Sequence, residues 1–110
     1  MIQETIAEIE ARIQKADSVN DDNKVELIRL LTTLKSEIAE FSRTHGEQAQ
    51  SIAGFTQISA HEAIRDEKNP QLVKLSLDGL ATSVVGFEKS HPKLVEIVNR
   101  ICITLSNLGI

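Results

Sequence analysis

A chain of 110 residues with 16 acidic and 12 basic side chains, net −4, can bury one modest core, and its acidity makes it a poor match for a phosphate backbone. Its Lys and Arg are scattered and it has no Trp or Tyr on which a base could stack, so no nucleic-acid partner is expected. A single cysteine leaves no intrachain disulfide, and the acidic amphipathic opening MIQETIAEIE does not read as a signal or transit peptide. No apolar run reaches membrane-spanning length, so no membrane span is expected and the expected compartment is cytoplasmic.

The first predicted helix covers residues 2–15. Ile2, Ile6, Ile9 and Ile13 alternate steps of four and three, an apolar seam made only of isoleucine. Isoleucine at both seam positions leans toward assemblies of more than two strands, which makes these four residues candidates for an interface between copies. The polar stretch ADSVNDDN follows. Asn23 with Glu26 three residues on reads as a capping box, with Asp21 and Asp22 as rivals for the cap. The second helix then runs to about Arg43 on a seam of Leu27, Leu31, Leu34, Ile38 and Phe41. The short turn between the two predicts an antiparallel hairpin over residues 1–45.

Residues 46–69 form a variable middle segment. Gly46 interrupts the pattern, and a third helix is expected from about 48 to 66. Ala49, Ile52, Ala53, Ala60, Ala63 and Ile64 share one face of small side chains, which would let another helix approach closely, while Phe55 and Ile58 point elsewhere.

The C-terminal helices occupy residues 70–110. Asn69 before Pro70 is a cap followed by a residue suited to the first helical position, because proline's missing N–H has no partner there. The fourth helix carries Leu72, Val73, Leu77, Leu80, Val84 and Phe87 and is expected to end near Gly86. His91 before Pro92 repeats the start: His91 is the expected cap, its ring nitrogen accepting from a first-turn N–H, and Pro92 is the first helical residue. A continuous helix kinked at Pro92 is the alternative, since the seam stays in phase from Val73 to Leu108. The fifth helix buries Leu94, Ile97, Val98, Ile101, Leu105 and Leu108. Ile103 projects from its polar side as a further interface candidate. Past the end, Gly109 is expected in the left-handed conformation, with Ile110 making the apolar contact that accompanies it.

No stretch carries a catalytic signature. A zinc-binding helix would need a second histidine where HEAIR has Arg65, after His61 and Glu62. His45 reads as a helix-end residue half in solvent. Cys102 falls on the apolar side of its helix, where cysteine behaves as a small hydrophobe. No catalytic, cofactor-binding or metal-binding residues are therefore expected, and no cofactor.

Phe87-Glu88-x-x-His91-Pro92-x-Leu94 and the terminal Leu105-Ser106-Asn107-Leu108-Gly109-Ile110, together with the hairpin, resemble the short bacterial proteins of domain-of-unknown-function family 4404. That resemblance implies no activity, substrate or cofactor; the chain departs from it at about residues 46–69, longer than the family's usual connection, so the third helix has no support from the resemblance. The expected protein is all-α and single-domain, an antiparallel hairpin plus two or three further helices in a bundle. It is expected to form a homo-oligomer and to serve as a non-catalytic interaction or scaffold module. Two readings stay open beside it: a regulator that binds a larger protein through an apolar groove, and a ligand carrier or enzyme with a site between helices.

Overall fold

A computed structural model describes residues 2–109, and these form five helices with no strand among them. They are α1 (Ile2–Lys15), α2 (Asp21–Phe41), α3 (Gly46–Ile64), α4 (Pro70–Thr82) and α5 (Pro92–Gly109). Short connections make sequence neighbours antiparallel, and the side-chain register agrees. Glu10 of α1 takes Lys35 and Thr32 of α2, while Gln14 takes Lys24. Gly109 of α5 lies on Val73 near the start of α4, and Cys102 lies by Leu77. The chain therefore runs up and down alternately through all five helices.

The arrangement has an inner trio and two outer helices. α2, α3 and α5 surround one contiguous core; α1 closes the groove between α2 and α3, and α4 closes the groove between α3 and α5. Neither outer helix touches the other. Ile6, Ile9 and Ile13 are at most 2% exposed, sealed under α2 and α3, and Ile2 is half-buried. The isoleucine seam expected to join copies is thus consumed within one chain. Two neighbouring helices cover it, so no apolar stripe is left for a third strand.

The small-residue face of α3 explains how α4 and α5 reach it. Ala49, Ala53, Ala60 and Ala63 are buried there beside Thr56 and Ser59. Each buried hydroxyl returns its hydrogen bond to its own helix, Thr56 Oγ1 to the Ile52 carbonyl and Ser59 Oγ to that of Thr56. Ser76 of α4 does the same to Val73. Polar groups are thereby satisfied without giving up volume to partners. Gly109 belongs to the same device. It is helical rather than left-handed, and a Cβ there would sit 2.8 Å from Val73 Cγ1 and 3.4 Å from the Ala63 backbone. Close approach, not a helix stop, is what demands glycine at this position. Ile110 lies outside the described residues.

Helix boundaries shift at three places. α2 starts earlier than expected, because Asn20 rather than Asn23 is its cap, accepting from the Asn23 N–H at 2.9 Å. α3 begins at Gly46, so glycine opens a helix instead of breaking one. α4 stops at Thr82, and the connection through Gly86 (φ +98°) separates it from α5; Pro92 starts a new helix and does not kink a continuous one.

Candidate functional site

The two outer helices differ in what they show to solvent. α1 turns Glu4, Glu8, Arg12 and Lys15 outward, as an amphipathic surface helix should. α4 turns Leu72 and Leu75 outward, at 39% and 67% exposure. Phe55 of α3 lies across Gly79 of α4, where a Cβ would fall on its ring, and Ile58 stands one turn further along α3. On the other flank of α4, Ile103 of α5 is 62% exposed. It walls a shallow groove of about 350 Å³ with Leu77, Ala81 and Cys102 and with the ion-paired Lys74 and Asp78. Of the seven large hydrophobic side chains exposed among the described residues, five lie on this α3–α4–α5 face. Val25 stands apart from it on α2, and Val85 lies in the connection that follows α4. Single exposed apolar residues are ordinary, whereas a contiguous set marks a binding surface.

A second cluster is built from rings. Phe41 ends α2, His45 precedes α3, and Phe87 and His91 belong to the α4–α5 connection. The four pack with centroids 4.7–6.1 Å apart, His45 stacked on Phe41 and the other pairs edge-to-face. The turn holding Phe87 and His91 is closed by the His91 N–H on the Phe87 carbonyl at 2.8 Å, and Glu88 Oε1 accepts from the Gly86 N–H. His91 does not cap α5 with its ring. Its Nδ1 pairs with Ser90 Oγ at 3.0 Å, while its carbonyl takes the Val95 N–H. The aromatic neighbours claim the ring face and turn it away from the first helical turn. His45 is half-buried, its ring stacked on the seam residue Phe41, with Nδ1 2.8 Å from Thr44 Oγ1. The geometry is that of a clamp between two connections.

Cys102, His61 and Glu62 each have a neighbour that sets their chemistry. Cys102 is half-buried beside the Leu77 carbonyl, and burial, helped by the Asp78 carboxylate, pushes its thiol up to about 11. A thiol held protonated is a poor nucleophile. His61 Nδ1 lies 2.8 Å from Arg12 Nη2; a guanidinium only donates, so Nδ1 accepts and the ring proton sits on Nε2, 4.0 Å from Glu62. Glu62 is taken by Arg65 at 3.0 Å. Among the described residues no three His, Cys, Asp or Glu side chains converge as metal ligands.

Of the positions singled out by sequence, Asn69 caps α4 through Oδ1, accepting from the Gln71 and Leu72 N–H groups at 3.0 and 3.2 Å, with Pro70 first in the helix. Ile103 is the one interface candidate among the described residues that stands largely in solvent. Leu75 is legible in the sequence only as an apolar residue off the α4 seam, and Leu72 reads as seam but faces out. Phe55 and Ile58 carry the clearer signal, two large apolar residues on the wrong side of a small-residue face.

No curated protein and no solved structure matches the chain. No helix among the described residues is long and apolar enough to cross a membrane. A family model described as a domain of unknown function matches residues 27–110, a span that begins within α2 and leaves α1 outside it. On that match, over most of its length, the chain belongs to the DUF4404 family.

Proposed function

We propose that this chain is a non-catalytic helical interaction module that works by presenting the outer face of α4, flanked by α3 and α5, to another protein. The observation that carries this reading is Leu75, 67% exposed at the centre of that face, with Phe55, Ile58, Leu72 and Ile103 around it. An outer helix with nothing to bind is polar outside, as α1 is; α4 keeps leucine there. The raised Cys102 thiol and the occupied His61 nitrogen support the non-catalytic half of the proposal.

Leu75→Glu combined with Ile103→Glu tests it against Val25→Glu, an equally exposed position on α2 away from the face. Association is read in two ways: sedimentation of the purified chain, and identification by mass spectrometry of proteins retained from a cell extract by the wild type. The double variant should lose association that the Val25 variant keeps. If neither self-association nor any retained protein depends on the α4 face, the reading fails.

A further inference from the structure

Resting on the reading of the α4 face as a docking surface, we infer that its occupant is a second copy of this chain, set antiparallel across a two-fold axis at the level of Ser76. The charges on α4 argue for it. Lys74 and Asp78 lie one turn apart on the same flank, 74% and 64% exposed, and pair with each other at 3.0 Å in the single chain. Equal and opposite charges placed symmetrically about Ser76 are self-complementary. Turning α4 end for end across a two-fold axis brings Lys74 level with the partner's Asp78, and Asp78 level with the partner's Lys74. Both intrachain pairs can therefore be exchanged for interchain pairs without leaving a charge unmatched, as an isologous contact requires.

The apolar residues obey the same symmetry. Leu75 lies beside the axis and meets its own mate. Leu72, four residues before Ser76, comes level with Leu80 of the other copy, next to Gly79, over which the Phe55 ring offers an apolar surface. A standard interface takes about 800 Å² per partner, a small part of the 6343 Å² that the chain exposes. Each copy carries net −4, but the face itself is charge-balanced, and repulsion from the rest of the surface is screened beyond about 8–10 Å at physiological salt. A strongly acidic or basic partner would leave Lys74 or Asp78 facing its like. A second copy does not.

Sedimentation equilibrium of the full chain at moderate salt tests the proposal. Wild type should give twice 12.1 kDa. Leu75→Glu should weaken the dimer at least about 30-fold, as loss of a central apolar anchor does. Lys74→Glu and Asp78→Lys should each weaken it by about tenfold, because each places like charges across the axis. Mixed together, these two variants should form a heterodimer of near wild-type affinity. The two acidic positions of the K74E chain then face the two basic positions of the D78K chain. All three positions are exposed, and circular dichroism checks that each variant is folded. A wild type monomeric at roughly 100 µM overturns the second copy as occupant and leaves the extract test of the α4 face standing. A dimer that survives Leu75→Glu overturns the location. A dimer lost in both charge variants and not restored on mixing overturns the antiparallel register.

Discussion

Glycines and the one cysteine show how differently a single residue type can be used in this chain. Gly54 is helical, and a Cβ added there would meet nothing within 4 Å, so Gly54→Ala should stabilise by up to about 1 kcal/mol through helix propensity, read as a rise in melting temperature. Gly109 faces the fully buried Val73, and Gly109→Ala should lower stability by about 1–3 kcal/mol despite the same propensity gain. Opposite signs for one substitution separate helix propensity from packing. Cys102 yields a pH prediction. Its folded-state value near 11 lies above the ordinary 9.0, so the folded chain holds the proton where the unfolded chain has released it. Its contribution to stability is full below about pH 9 and is lost as pH rises through about 11. Iodoacetamide should accordingly label the folded chain at pH 8 far more slowly than the urea-unfolded chain; equal rates would refute the burial of the thiol.

Helix ends and connections set the second scale. Asn69 satisfies two orphan N–H groups of α4, and Asn69→Ala should cost about 1 kcal/mol in urea unfolding. Asn20→Ala should cost a similar amount at α2. The ring cluster predicts coupling rather than a simple loss. A double-mutant cycle on Phe41 and His91, whose centroids are 4.9 Å apart, should return about 0.5–1.5 kcal/mol. Additive single-variant effects would mean that the clamp does not join the α2–α3 and α4–α5 connections. The Phe87–His91 stretch is then a structural turn: its two rings meet Phe41 and His45, which are distant in sequence.

Across the whole molecule, α1 and α4 occupy equivalent outer positions and are covered differently. Ile6, Ile9 and Ile13 bury themselves against α2 and α3, so α1 serves as a lid on the core and its outer surface is polar. Ile9→Ala should therefore destabilise the monomeric fold by about 2–5 kcal/mol, independent of protein concentration. A loss that grows on dilution would instead place Ile9 between copies. At α4 the expectation reverses: Leu75→Glu should leave the melting temperature of the dilute chain nearly unchanged while altering association. The covered face of α1 and the uncovered face of α4 are distinguished by concentration dependence alone.

Periodic apolar spacing and cap chemistry were enough to determine an all-helical chain without strands among the described residues, its opening hairpin and the proline start of α4, but they left the count at four or five helices and Pro92 as either a start or a kink. These are local properties: a side chain's face on a helix follows from its position in the chain, and a cap acts within one turn. What spacing could not reveal is which seam finds a cover. Ile6, Ile9 and Ile13 read as the open interface and are sealed, whereas Leu75 is hidden among α4 residues in the sequence and stands in solvent. Gly109 reads as a terminator and is a contact, and His91 reads as a cap and is a packing ring. Each of these depends on a residue from another helix, Val73 or Phe41, arriving at the right distance. That arrival is set by how five helices share one core, a decision made only in the tertiary structure.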